Sequence, residues 1–216
     1  MMLKLALIRH GKTFGNTQGR YIGTTDEPLC QEGIDALREK AAGYPAAELV
    51  FASPMKRCIQ TAEVLYPGME PYRLPDFREC DFGEFENKNY QELSGNPAYQ
   101  AWIDSGGTLA FPRGESRDQV AERTVRAFRK MLEVCRARQV EQAALVAHGG
   151  TIMTIMEQFA RPRRDYFDWQ VKNGCGFFTE VRREAGAEWK REARTGTEVK
   201  EEYESITIGV IAGISP

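Results

Sequence analysis

Histidine is scarce in this chain: there are two among 216 residues. The five cysteines (Cys30, Cys58, Cys80, Cys135, Cys175) include no CxxC pair, which excludes a cysteine-based zinc site. An odd set of thiols fits a reducing cytoplasm better than a disulfide scaffold. No apolar run is long enough to span a bilayer, and Met1 to Ile8 is too short for a secretory core. Basic residues hold no excess either, since the formal net charge is −2. Nucleic acid and anionic membrane both call for such an excess, so neither partner is expected. Repeats and low-complexity tracts are absent. What is left, 42% hydrophobic and 28% charged, is ordinary globular composition. One domain over residues 1–216 is expected, long enough to bury its own core.

The two histidines sit in matching places. Leu3-Lys4-Leu5-Ala6-Leu7-Ile8-Arg9 runs into His10-Gly11, and Ala143-Ala144-Leu145-Val146-Ala147 runs into His148-Gly149-Gly150. Short runs of this kind read as buried strands. The glycines mark sharp exits where backbone can approach a ligand. In an open α/β sheet, ligands gather at the carboxyl ends of strands. Two imidazoles at two such ends can converge on one site, which points to an enzyme.

Strand-like runs at 3–8, 48–52, 71–74, 143–147 and 175–182 alternate with helical periods, the βαβ signature of a mainly parallel sheet. Met55, Ile59, Ala62 and Leu65 describe one helix face; Val120, Thr124, Ala127, Met131 and Val134 describe another. Ser116 with Gln119 fits a capping box, so the second helix should begin there. A third should follow His148, near 151–160. From about 84 to 115 aromatics mix with Gly and Pro, which reads as a lid insertion over the sheet edge. Residues 195–216 carry a charged segment and then the apolar run Ile206–Ile214. An edge strand and an oligomer contact both fit that run.

Four elements bear chemistry. Arg9-His10-Gly11 places a guanidinium beside an imidazole at a strand end, and Asn16 can add an amide to the same loop. In Ser53-Pro54-Met55-Lys56-Arg57, Ser53 suits an N-cap and Pro54 the first helical position. Arg57 then falls in the opening turn, where the helix dipole disfavours a cation unless an anion is near. His148-Gly149-Gly150-Thr151 enters a helix and offers free amides to an anion. Finally, Glu79-Cys80-Asp81-Phe82-Gly83-Glu84-Phe85-Glu86 alternates carboxylates with aromatics. Apolar surroundings favour a neutral acid, as a proton donor needs. Composition does not choose among Glu79, Asp81, Glu84 and Glu86.

Taken in register, these elements resemble the histidine phosphatase superfamily, the phosphoglycerate-mutase-like group. The resemblance rests on Arg9-His10-Gly11 with Asn16, and on Gly23-x-x-Asp26-x-Pro28-Leu29-x-x-x-Gly33. It continues through Ser53-Pro54-x-x-Arg57-x-x-Gln60-Thr61-Ala62, Glu79-x-Asp81-Phe82-Gly83-x-x-Glu86, Gly114-Glu115-Ser116 and His148-Gly149. It spans roughly residues 3 to 180. Asn87 stands where a glycine commonly follows, Gly15 replaces a bulkier residue, and the tail beyond 195 has no counterpart.

The resemblance implies a three-layer α/β/α sandwich and phosphomonoester hydrolysis through a phosphohistidine on His10. It assigns the acid to Glu79, and the catalytic and phosphate-binding surround to Arg9, Arg57, His148, Asn16 and Gly149. The substrate is then a small-molecule phosphate ester, with no metal or other cofactor. The mutases of the family carry a longer insertion with paired arginines. Between 87 and 115 this chain has only Lys88 and Arg113 as basic residues, beside Tyr90, Tyr99, Trp102 and Phe111. A phosphatase is expected over a cofactor-dependent phosphoglycerate mutase, and the chain looks most like the α-ribazole phosphatase type and the broad-specificity bacterial phosphatases. A two-histidine, one-carboxylate metal site (His10, His148, Glu79) is the rival reading; Arg9 and Arg57 would repel its cation. An inert binding module would lack one of His10, Arg57, Glu79 or His148, and all four are present. The oligomeric state, a homodimer included, stays open.

Overall fold

The computed structural model describes residues 2–191 and 198–214, so residues 195–197 and 215–216 of the expected tail lie outside it. Strand β1 (Met2–Arg9) is buried on both faces. Its Leu3, Leu5 and Leu7 enter one core, and Ala6 and Ile8 enter another. The alternation follows from the pleat, which sends successive side chains to opposite faces. Helices α1 (Phe14–Thr17) and α2 (Gln31–Glu39) follow, then β2 (Leu49–Ala52), α3 (Lys56–Leu65) and β3 (Tyr72–Arg73). After α4 (Pro97–Asp104) and α5 (Arg117–Ala137) come β4 (Gln142–Ala147), α6 (Gly149–Phe159), β5 (Gly176–Arg191) and β6 (Glu198–Ile214).

The sheet order is β3-β2-β4-β1-β5-β6. Strands β3, β2, β4 and β1 run parallel to one another, while β5 pairs antiparallel with β1 and with β6. Leu37 of α2 and Cys58, Ala62 and Leu65 of α3 pack on the Ala6–Ile8 face. Phe128 and Met131 of α5 and Ile152, Ile155 and Met156 of α6 pack on the Leu3–Leu7 face. This is the expected three-layer sandwich. The run Ile206–Ile214 is an edge strand, and its Ile208 carbonyl accepts from the Arg161 amide at 2.9 Å. Strand β5 continues well past the expected 182, because β6 supplies a partner for its whole length.

The start of α3 differs from the sequence expectation. The helix begins at Lys56, not Pro54, and Ser53 does not cap it. Asp26 does the capping instead: its Oδ1 accepts from the Lys56 amide at 2.7 Å. Ser53 has another partner, His148, described below. By contrast α5 carries the expected capping box at Ser116 and Gln119. Asn87, the departure from the family's glycine, has φ 57. That left-handed backbone explains the position, since glycine and asparagine are the residues that tolerate it.

Segment 84–115 is an excursion with joined ends. The Glu84 amide donates to Pro112 O at 2.9 Å, and Gly83 and Gly114 pack so closely that neither has room for a Cβ.

Gly176 is where β5 meets the end of β1. A Cβ there would lie 1.8 Å from Leu7 O, an impossible contact with backbone. Gly176→Ala should therefore destabilise the fold by about 1–3 kcal/mol or more, the usual cost of overpacking. Gly209→Ala, with nothing within 4 Å, should stay within about 0.5 kcal/mol. Urea unfolding of the two variants checks this, and equal midpoints would contradict it.

Candidate active site

Because β1 and β4 are parallel with Arg9 opposite Ala147, their exits leave the sheet side by side. The His10 amide donates to Ala147 O at 2.9 Å. The two imidazoles then lie with ring centroids 5.3 Å apart. His10 Nδ1 is 2.7 Å from Gly11 O. A carbonyl only accepts, so Nδ1 carries the proton and Nε2 keeps its lone pair. Burial, with the fields of Arg57 and then Arg9, holds the His10 pKa well below the ordinary 6.5, and burial and Arg57 do the same to His148. Both rings are neutral at neutral pH.

His148 has no exposed surface. Its Nε2 is 2.8 Å from Ser53 Oγ, and the Cys58 thiol lies 3.6 Å from the same nitrogen. Burial pushes Cys58 up to about 12, so it stays a thiol.

Arg57, read from sequence as an opening-turn cation, is completely buried. Carbonyl oxygens hold it: Nη1 donates to Thr25 O at 2.8 Å and Nη2 to Gly23 O at 3.0 Å. Arg9 Nη1 donates to Val171 O at 2.8 Å. The Nε atoms of Arg9 and Arg57 are buried with no hydrogen-bond partner, and among the described residues neither arginine makes an ion pair. Buried unpaired donors are costly, and here they surround two imidazoles with positive charge. Such a surround answers to a multiply charged anion. Asn16 Oδ1 accepts from Thr13 N at 3.3 Å and Asn173 Nδ2 at 3.0 Å, which leaves its own amide to donate.

The four acids of the 79–86 block separate cleanly. Glu86 accepts from the amides of Gly23 and Thr25, each at 2.9 Å, and so props up the loop that holds Arg57. Asp81 closes a turn onto the Gly83 amide at 2.8 Å. Glu84 makes a surface pair with Arg113. Glu79 alone of the four lines the cavity at His10.

That cavity, about 290 Å³, is lined by Arg9, His10, Asn16, Glu79 and Gly149 and by aromatic rings. Arg57 and His148 lie behind it, fully buried. The rings are Tyr21, Phe82, Trp102, Phe111, Tyr166 and Phe167. Two aromatics of the insertion do not line it: Tyr90 is 65% exposed, and Tyr99 packs against Trp102 in a stack 6.1 Å apart. Two arginines that sequence reading missed, Arg20 and Arg117, reach the wall, each paired to an acid (Glu92 and Glu157). Asn173, which ties the His10 carbonyl at 3.1 Å to Asn16, was also missed. No local motif announces it. Arg123 does carry a signal, since it falls on the buried face of α5 between Val120 and Ala127.

Among the described residues no three His, Cys, Asp or Glu side chains are grouped to hold a metal ion. No helix among them is long and apolar enough to cross a membrane.

Sheet order, paired strand exits and buried cations together describe an enzyme of phosphate esters. A family model of the histidine phosphatase superfamily (branch 1) matches residues 5–193, and the chain belongs to that superfamily as a phosphomonoesterase. A 2,3-bisphosphoglycerate-dependent phosphoglycerate mutase of Rhizobium etli is 31% identical over 179 residues, 74% of this chain and 81% of its own. An adenosylcobalamin/alpha-ribazole phosphatase of Salmonella typhimurium is 26% identical over 180 residues, 80% of this chain and 88% of its own. Among solved structures, a phosphoglycerate mutase from Thermus thermophilus matches with TM-score 0.64 at 30% identity, covering 82% of this chain and 92% of that one. The alpha-ribazole phosphatase from Shigella flexneri matches with TM-score 0.70 at 22% identity (83% and 90% covered), a likeness of fold.

The neutral histidines set a pH dependence. Their folded pKa lies below the ordinary 6.5, so below that value the unfolded chain binds protons that the folded chain refuses. Stability should fall as pH drops from about 7.5 to about 5.5, with a shallower fall in His148→Gln, which has one titrating ring fewer. Thermal midpoints across that range measure both slopes, and parallel slopes would refute the assignment.

Proposed function

We propose that the chain hydrolyses small-molecule phosphomonoesters through a phosphohistidine on His10. One observation carries the reading. A neutral imidazole with Nδ1 tied to Gly11 O sits among guanidiniums whose Nε donors lack partners, with Glu79 the one acid of its block in the same cavity. His10 Nε2 attacks phosphorus as the ester P–O bond breaks, and protonated Glu79 gives its proton to the leaving alkoxide. Water then attacks the phosphohistidine while the Glu79 carboxylate takes its proton. Inorganic phosphate leaves, and both residues return to their starting states. Arg9, Arg57, His148, Asn16 and the Gly149 amide neutralise the phosphoryl oxygens, the kind of preorganised stabilisation that dominates such catalysis.

A phosphatase fits better than a mutase. The two further arginines of the wall are already paired to Glu92 and Glu157, so neither is a free cation for a second phosphate. The aromatic lining favours a flat, weakly charged leaving group. α-Ribazole phosphate, named for relatives, is the ester to test first. All five thiols are free, which supports a reducing, cytoplasmic setting.

His10→Ala should abolish turnover, and His148→Ala should lose about 10²–10³ in kcat. Glu79→Gln should slow alkyl phosphates within about 10²–10⁴ and spare p-nitrophenyl phosphate, whose leaving group needs little protonation. Phosphate release from a metabolite panel reads all three. An active His10→Ala would end the phosphohistidine reading, and conversion of 3-phosphoglycerate to its isomer would restore the mutase.

A further inference from the structure

We propose that Arg123 and Glu115 are a positioning pair that holds the Glu79 backbone where its carboxyl can serve the leaving group. The inference rests on the reading of Glu79 as the acid. Arg123 is 4% exposed and does not line the cavity. A guanidinium has five N–H groups, and here all five are engaged. Nε donates to Glu115 Oε1 at 2.8 Å, and Nη1 to Asp76 O at 2.9 Å and Arg78 O at 2.7 Å. Nη2 donates to Glu79 O at 3.0 Å and Glu115 Oε2 at 2.7 Å. Glu115 in turn accepts from the Asp81 amide and from Arg78 Nη2, each at 3.0 Å.

The chain from Asp76 to Asp81 is thus bound, on both sides of Glu79, to one ion pair. Glu79 has little else to place it. Its carboxylate accepts from the adjacent Cys80 amide at 2.9 Å, a bond that moves with the backbone. The opposite wall is close, since a Cβ on Gly150 would lie 2.8 Å from Glu79 Oε1. A small shift of residues 76–81 therefore displaces the acid from the cavity. Lysine cannot replace Arg123, because an ammonium offers three donors at one point and not a planar fork. A pair that only stabilised the fold would affect all substrates alike, whereas a positioning pair acts through Glu79.

The test assays Arg123→Lys, Glu115→Gln, Glu79→Gln and the Arg123→Lys/Glu79→Gln double variant on an alkyl phosphate and on p-nitrophenyl phosphate. Arg123→Lys and Glu115→Gln should lose about 10²-fold in kcat on the alkyl ester, the scale of an ångström-level misplacement. The loss on p-nitrophenyl phosphate should be much smaller, and KM for the alkyl ester should move less than kcat. In the Glu79→Gln background, Arg123→Lys should add no further leaving-group dependence. Equal losses on both esters, or a full additional loss in the double variant, overturns the proposal. If Glu79→Gln itself shows no leaving-group dependence, the acid assignment fails and this inference falls with it. Circular dichroism and thermal midpoints report folding; should Arg123→Lys not fold, Glu115→Gln decides the matter by the same criteria.

Discussion

A buried positive charge held by neutral oxygens is the constraint on which the rest of this site depends. Arg57 has no exposed surface and, among the described residues, no carboxylate partner; the carbonyls of Thr25 and Gly23 hold it. Burying a cation in this way is expensive unless a counter-charge is supplied. The fold supplies structure instead. Glu86 spends its oxygens on the amides of residues 23 and 25 and on the Thr25 hydroxyl, so the carbonyls facing Arg57 cannot swing away. Thr61 links the same helix to the histidine loop, accepting from the Gly11 amide at 2.9 Å and donating to Arg57 O at 2.6 Å. An acid placed directly on Arg57 would cancel the field that an anion needs.

That field also sets the protonation of the histidines. Burial and the neighbouring guanidiniums keep His10 neutral, which suits its nitrogen to the proposed nucleophilic role without a separate base. Both halves of an ion-binding and nucleophilic site thus come from the same cations. Their placement requires only that two parallel strands end in register.

Much of this was legible in the sequence because it is local. The apolar runs before His10 and His148, the glycines after them and the Ser116 capping box are patterns of a few residues with a single physical reading. The motif register singled out Glu79, which composition could not separate from Asp81, Glu84 and Glu86; in the fold, Glu79 lines the cavity and the other three have partners elsewhere. The misreadings were contests between local and distant partners. Ser53 has the chemistry of an N-cap, but His148 claimed its hydroxyl and Asp26, remote in sequence, took over the helix end. Tyr90 and Tyr99 belonged to the right segment, yet their direction depends on packing that no periodicity reveals. Asn173 and the three carbonyl contacts of Arg123 depend on contacts across 44 to 163 positions in sequence.

The joined neck at Glu84 and Pro112 divides the enzyme into parts with different freedoms. Phosphate chemistry sits on strand ends and helix starts locked into the sheet. Trp102 and Phe111, which line the cavity, hang from an excursion that begins and ends at one point. Residues between about 90 and 110 can be added or removed at small entropic cost, while Glu86 and Glu115 at the neck keep their hold on the loops of the proposed phosphate site. The lining supplied by the excursion can therefore be rebuilt by insertion and deletion while the neck stays intact, so that the choice of alcohol is separable from the choice of reaction.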